Sequence, residues 1–168
     1  TTREVEQDAD FAKVLALPGV RALVPLNRLL LPNRLETLGS LREAAAQLKA
    51  DLVFVYTFDT AFFDEDKARV LSTLSLGFSP NRRITTTTTA SALLMDTRTG
   101  YLYGAFETTS GSTRSASAWG SREAADAARL ESEQAAFGKL IDAVVQSWPE
   151  LMKEGPADRP FPAAAPDE

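Results

Sequence analysis

Residues 84–109, ITTTTTASALLMDTRTGYLYGAFETT, decide how this chain folds. Along residues 90–95 and again along 101–106, successive side chains alternate with a period of two. That period is typical of β-strands, and Thr, Tyr and Phe suit a pleated, half-buried surface. Asp96 and Gly100 bracket the loop between the two runs and supply the chemistry of a tight turn. The stretch therefore predicts a β-hairpin that reverses over Asp96–Gly100.

Length and composition indicate one globular domain. The chain has 168 residues, of which 44% are hydrophobic and 24% charged. A chain of this length buries about two-thirds of its unfolded surface. Its net charge of −5 provides no basic field, so we expect no nucleic-acid partner. The last residues, GPADRPFPAAAPDE, contain four prolines, which predicts a disordered tail over 154–168 after a single domain over 1–153.

The chain contains no cysteine and no histidine. Their absence excludes disulfides, thiolate or imidazole metal sites, and nucleophiles that are activated by histidine. No apolar run approaches the ~20 residues that span a bilayer, and no signal peptide opens the chain. We expect neither a metal nor another cofactor.

Helical periodicity and end signals predict three helices. The first covers residues 4–16, where apolar residues lie three and four apart. Ser40 and Glu43 have the spacing of a capping box, which predicts the start of a second helix. Ser121 is predicted to cap the closing helix, and Pro149 to end or kink it.

Three further segments are predicted to be strands, namely 20–26, 51–63 and 69–78. From Leu52 to Thr57 the sequence is apolar on both faces, which favours a central strand that is covered on both sides. The acidic run Asp64–Asp66 is expected to end it.

Short connections allow the four strands from residue 51 onward to pair as a meander. The predicted fold class is therefore α+β, with a mostly antiparallel sheet of four to five strands and two to three helices packed on it. The closing helix, through its apolar stripe from Phe137 to Trp148, is expected to cover one face of the sheet.

This order of elements resembles a known family. The runs Leu41–Thr60, LREAAAQLKADLVFVYTFDT, and Ala90–Ser112, ASALLMDTRTGYLYGAFETTSGS, resemble the bacterial rhombotarget lipoproteins. The pattern is more distantly similar to the curli-secretion lipoprotein and to the N-terminal domain of the translocation protein TolB. In those proteins a strand ends in D-x-x-[TS]-G, which Asp96–Gly100 matches. The likeness spans roughly residues 8–150.

The resemblance implies an outer-membrane lipoprotein on the periplasmic face of the bacterial envelope. It brings no catalytic residues, and it implies that the protein meets a membrane only through a lipid anchor. Domains of this kind begin with a strand before the first helix and carry a lipid-bearing cysteine. Neither feature occurs from Thr1 onward, so we expect an upstream signal peptide, lipobox and first strand, or else an open sheet edge.

Carboxylates are the remaining candidates for acid–base catalysis. Asp59, Asp64, Glu65 and Asp66 cluster near the end of one predicted strand. A glycosidase would need two of them in one pocket, about 5 to 10 Å apart. The same run also fits a charged loop that keeps a strand end soluble. It lacks the D-x-D-x-D-G spacing of a calcium loop.

Two groups of residues, one of threonines and one of aromatic side chains, could bind a ligand or could have only a structural role. Thr85–Thr89 could form a flat face for ice or glycan, or could reflect strand propensity on a partly exposed sheet. Tyr101, Tyr103 and Trp119 could stack on a ligand or belong to the core.

The loop from Gly77 to Arg83 is the candidate partner contact. Phe78 offers an apolar anchor, and it is followed by three polar donors, Asn81, Arg82 and Arg83. That composition fits a partner contact and equally fits a turn that is basic by chance.

We therefore expect a non-enzymatic domain that binds another envelope protein, or itself, through an open sheet edge. One alternative is a small carboxylate-dependent hydrolase that acts on envelope glycan. The other is a structural subunit of an oligomeric envelope assembly.

Overall fold

The computed structural model describes residues 2–31, 37–66, 82–116 and 121–153. Within these ranges lie three α-helices, α1 (Asp8–Leu15), α2 (Leu38–Gln47) and α3 (Ser121–Lys153), and three strands, β1 (Leu52–Asp66), β2 (Arg82–Asp96) and β3 (Leu102–Ala116). A helical turn at Thr2–Val5 and a 3₁₀ turn at Arg28–Leu30 complete the regular structure of these ranges. The strands form an antiparallel sheet in the order β1–β2–β3.

The predicted fold class is wrong in its sheet, although the mixture of helices and strands is confirmed. The sheet has three strands among the described residues, not four to five. The predicted strand 20–26 is irregular, and Arg21–Pro25 is exposed, so the described structure does not bury its apolar side chains Leu23 and Val24. The predicted strand 69–78 lies outside the described residues.

Within the described sheet, β1 is not the central strand that the sequence predicts. β1 pairs directly with β2 at one edge of the described sheet, and it continues through the acidic run to Asp66. Its apolar character on both faces has another cause. Val53 and Val55 pack in one hydrophobic cluster, whereas Tyr56 and Phe58 join a separate group of aromatic rings.

The hairpin that the sequence predicts is confirmed. β2 ends at Asp96, and the N–H of Gly100 donates to the Asp96 carbonyl at 3.0 Å. The Asp96 carboxylate accepts from the N–H of Thr99 at 2.6 Å and from its hydroxyl at 2.8 Å. Gly100 has a φ of +78°, a left-handed conformation that glycine adopts at little cost.

Three helix boundaries differ from the predicted ones. Extended backbone at Gln7 separates α1 from the preceding turn. α2 begins at Leu38 with Thr37 at its N-cap, so Ser40 lies inside the helix and is not the cap of a capping box. α3 does not end at Pro149, since it continues to Lys153.

The chain divides into two compact units, which we describe separately. The first comprises residues 1–23, 56–92 and 106–145. In it, the side chains of Thr86, Thr88 and Ala90 on β2 are buried, and α3 covers that face of the sheet. The covering contacts include a 2.7 Å hydroxyl pair between Thr88 and Ser132. The expected packing of the closing helix on the sheet is confirmed for this unit.

The second unit comprises residues 24–55, 93–105 and 146–168. Its hydrophobic cluster centres on Ala45, Val53 and Met95, and Leu26 packs against it. The predicted single domain over 1–153 stays a prediction, and the predicted tail over 154–168 lies outside the described residues. Among the described helices, none is long and apolar enough to cross a membrane.

Candidate interaction edge of the sheet

The predicted partner contact falls largely outside the described chain. Phe78 and Asn81 are not among the described residues, and of Arg82 only the backbone is described, as the first residue of β2. Arg83 follows it on β2 with an exposed side chain. The predicted contact at these four residues stays a prediction.

The described structure draws attention instead to the outer edge of β1, the side that faces away from β2. Two contacts fix the pairing of β1 with β2. The N–H of Thr97 donates to the Asp51 carbonyl at 2.9 Å, and the hydroxyls of Thr60 and Thr88 lie 3.1 Å apart. In an antiparallel ladder with this register, the backbone groups of alternate residues, including Thr60 and Phe62, point away from β2. Within the described part of the chain, no strand pairs with those groups.

One face of β1 is fastened by aromatic packing in the first unit. The ring centroid of Phe137 on α3 lies 5.0 Å from that of Tyr56 and 6.2 Å from that of Phe58. Phe11 on α1 meets Phe137 from another side, edge to face. Burial, and then the hydrogen bond that the Tyr56 hydroxyl donates to Glu6, raise the pKa of Tyr56 far above its ordinary value. These rings hold the strand in place, and no described strand pairs with its outer edge.

A polar network fastens the same face further along β1, and sequence reasoning missed it. The Thr60 hydroxyl donates to one carboxylate oxygen of Glu133 at 3.2 Å, and Arg129 donates to the other at 2.8 Å. Thr88 and Ser132 are fully buried beside them, and the Ser132 hydroxyl also lies 2.9 Å from the Arg129 carbonyl. No local pattern signalled the network, because Thr88 lies in a run of five threonines and Ser132 and Glu133 lie in the polar stretch Glu131–Gln134. Its donors and acceptors bind one another, so the arrangement positions the strand.

The last described side chains of β1 are two exposed aromatic rings. Phe62 is 51% exposed and Phe63 is 57% exposed. Thr57, Asp59 and Ala61 precede them and are exposed as well. Adjacent residues of a strand point to opposite faces, so a Phe-Phe pair in a sheet packed on one face must expose at least one ring. That alternation was the available sequence signal.

The opposite edge of the sheet, on β3, is better covered. The ammonium group of Lys139 donates to the Thr109 carbonyl at 3.0 Å. Ser112 and Arg114 both bind the Glu131 carboxylate of α3, at 2.8 Å and 3.1 Å. The hydrogen bond from Ser112, followed by that from Arg114, lowers the pKa of Glu131 below its ordinary value. Charged side chains of this kind are how sheet edges are commonly shielded from further pairing.

The threonine run divides between the two faces of the sheet. Thr86 and Thr88 are buried, whereas Thr85 and Thr89 lie half-buried on the other face. There the Thr85 hydroxyl pairs across the strands with that of Thr113 at 3.2 Å, and the Thr89 hydroxyl pairs with its neighbour Thr109 at 3.3 Å. Alternate threonines therefore stabilise the sheet, and a flat face of five does not form.

The remaining predicted site residues are placed as follows. Asp59 is exposed on β1, and the side chains of Asp64, Glu65 and Asp66 lie outside the described set, so a carboxylate pair stays a prediction. Tyr101 and Tyr103 pack edge to face with centroids 5.1 Å apart. Trp119 is not among the described residues.

Comparison with known proteins adds little. No protein-family model matches the chain, and no curated protein matches it. Among solved structures, a candidate lipoprotein from Caulobacter crescentus CB15 shares 14% sequence identity with this chain. The match covers 71% of this chain and 87% of that one, with a TM-score of 0.39. A likeness of this strength carries no argument, and the rhombotarget resemblance stays a prediction.

Proposed function

We propose that this chain is a non-enzymatic, protein-binding domain of a bacterial envelope lipoprotein. We further propose that its partner adds a strand to the outer edge of β1. The observation that carries the binding mode is the position of β1, a 15-residue strand that pairs with β2 alone within the described chain. The envelope location is supported by the resemblance of residues 8–150 to lipoproteins.

Strand addition suits this edge because β1 offers both backbone groups for pairing and side chains for specificity. The outward backbone groups of Thr60 and Phe62 can pair with an extended segment, which gives affinity that does not depend on the partner's sequence. The exposed rings of Phe62 and Phe63 can then select apolar side chains on the partner. Asp59 is the one charged residue between Leu52 and Phe63, so little charge repulsion opposes pairing there.

The packing behind β1 also favours this binding mode. Strand addition loses little free energy to ordering when the receiving strand is already rigid. Tyr56, Phe58 and Thr60 bind α3 side chains, so the strand is held before a partner arrives. The β3 edge, with Lys139 on the Thr109 carbonyl, is the weaker candidate for the same role.

The experiment is capture of partners from envelope extract after chemical crosslinking. Wild type is compared with a Phe62→Thr, Phe63→Thr double variant, which keeps strand propensity but removes both rings. Leu102→Thr, at an exposed residue of β3, is the matched control. We expect one specific partner with wild type and with the control, and at least a tenfold loss with the double variant.

Two further measurements sharpen the test. An Arg82→Ala, Arg83→Ala variant tests the loop that was predicted from the sequence. If only this variant captures less of the partner, the contact lies in that loop and not at the edge of β1. In the purified complex, amide hydrogen exchange at Thr60 and Phe62 should slow on binding. Unchanged exchange there, or equal capture by all variants, would refute the strand-addition mode, and capture of no specific partner would refute the binding function.

A further inference from the structure

A short segment of the second unit, Val24–Leu31, carries the largest exposure of an apolar side chain among the described residues. We call it the Leu29 turn. Leu29 is 91% exposed, and Val24 is 56% exposed. Isolated exposed leucines are ordinary on protein surfaces, but this one stands at the tip of an ordered turn with a second apolar side chain on the same segment.

The turn is built to present Leu29 outward. The Asn27 carboxamide oxygen accepts a hydrogen bond from the Leu29 N–H at 3.0 Å. The N–H of Leu30 donates to the Asn27 carbonyl at 2.9 Å, and that of Leu31 donates to the Arg28 carbonyl at 3.1 Å. On the inner side, Leu26 packs against the cluster of Ala45, Val53 and Met95. The backbone that carries Leu29 is therefore fastened, so little conformational entropy opposes its burial in a partner.

The charge around the turn is opposite to that of the whole protein. From Val20 to Leu31 the sequence has two basic residues, Arg21 and Arg28, and no acidic one, in a chain of net charge −5. Arg28 lies beside Leu29, is exposed, and makes no ion pair with any described residue. An apolar side chain flanked by an unpaired cation matches the layered chemistry of an anionic membrane surface, with phosphate outside and hydrocarbon beneath.

We propose that the Leu29 turn inserts into the surface of a bilayer that contains anionic lipid, with Leu29 among the acyl chains and Arg28 at the phosphates. This direct contact would add to the one made through a lipid anchor, and it does not depend on the β1 edge. A protein partner fits less well, because stable protein interfaces bury about 800 Å² on each side, which a protruding turn of eight residues does not offer. A single protruding side chain needs no complementary pocket in a fluid bilayer.

The test uses vesicles of equal phosphatidylglycerol and phosphatidylcholine, with pure phosphatidylcholine as the comparison. Because the chain has no cysteine, Leu29→Cys and Leu102→Cys each give one labelling site for an environment-sensitive fluorophore. We expect a blue shift at position 29 with the anionic vesicles, none with pure phosphatidylcholine, and none at position 102. Leu102 is itself 45% exposed and so controls for non-specific adsorption.

Affinity is measured by co-sedimentation of unlabelled protein at low ionic strength. Leu29→Ser should lower the partition coefficient about tenfold or more, the effect of withdrawing one buried leucine. Arg28→Gln should lower it several-fold and weaken its salt dependence, and Leu102→Ser should leave it unchanged. The absence of a blue shift at position 29, or an equal shift at position 102, would overturn the proposal. Equal binding to both vesicle types would overturn the role of anionic lipid. A blue shift caused by a second copy of the chain, in the absence of lipid, would show that the Leu29 turn forms a dimer contact and not a membrane contact.

Discussion

The guanidinium group of Arg42 on α2 donates from Nε to the backbone carbonyl of Thr97 at 2.9 Å. Its Nη2 donates to the next carbonyl, that of Arg98, at 2.5 Å. One side chain thereby binds both carbonyls at the start of the β2–β3 turn, and it lies against Gly100 as well. The hairpin that dominates the sequence is thus held by a residue about 55 positions upstream in the chain.

Replacing Arg42 should destabilise the protein through this turn. We expect Arg42→Ala to lower the free energy of unfolding by about 1–2 kcal/mol, because two charge-assisted hydrogen bonds are lost from a partly exposed site. Arg42→Lys should recover less than half of that, since an ammonium group lacks the planar fork. Urea denaturation measures both. Arg83→Ala, at an exposed arginine, should change stability by less than about 0.5 kcal/mol, and equal effects at both sites would contradict the role of Arg42.

Gly100→Ala should destabilise the protein by more than the strain of a left-handed alanine alone. Gly100 has a φ of +78°, and an added Cβ would lie 2.8 Å from Nη1 of Arg42. Gly19, with a φ of +86° and nothing within 4 Å of an added Cβ, is the matched control. We expect Gly19→Ala to lower the free energy of unfolding by roughly 1–2 kcal/mol, because alanine disfavours the left-handed conformation. Gly100→Ala should lower it by about 1 kcal/mol more. In an Arg42→Ala background the two costs should converge, and a persistent difference in urea denaturation would refute the Arg42 contact.

Asp96 should make the stability of the hairpin depend on pH. Partial burial raises the pKa of Asp96, but the N–H and hydroxyl of Thr99, with the N–H and charge of Arg98, outweigh it and hold the pKa below its ordinary value. A lowered folded-state pKa contributes stability above the unfolded value, and that contribution is lost as the pH falls from about 4 through the folded-state pKa. Asp96→Asn should therefore be less stable than wild type at pH 7 and should lose less stability on acidification. Parallel urea midpoints of the two proteins between pH 7 and pH 3 would contradict this.

Two neighbouring threonines of β2 should respond in opposite directions to the same substitution. The Thr88 hydroxyl pairs with Ser132 and Thr60, so Thr88→Val should cost about 1 kcal/mol. The Thr86 hydroxyl is buried without a hydrogen-bond partner among the described residues, so Thr86→Val should stabilise the protein by about 1 kcal/mol. Thermal or urea unfolding of the two variants compares them directly. A loss of stability in Thr86→Val equal to that in Thr88→Val would show that this hydroxyl has a partner.

The features that could be predicted from sequence are those that depend on near neighbours in the chain. The Asp96–Gly100 turn follows from an Asp that binds the N–H three residues on and a Gly that adopts positive φ. The closing helix follows from its apolar stripe, although Pro149 did not end it. In both cases the signals that predict the element are local, so the sequence contains them, although distant residues such as Arg42 and Tyr56 then hold the turn and the helix in place.

Tertiary structure decided which of the described strands pair and what covers each face of β1. An apolar run on two faces predicts a central strand, yet in the described sheet β1 pairs with β2 alone, and its Val53 and Tyr56 are covered by different clusters. Likewise, the predicted strand at residues 20–26 pairs with no described strand, and Arg21–Pro25 is irregular and exposed. The alternation of side chains along a strand indicates which residues are buried, but it does not indicate which part of the protein buries them. For that reason the sequence alone did not show that Phe62 lies on an edge strand of the described sheet, or that Leu29 is exposed on a turn.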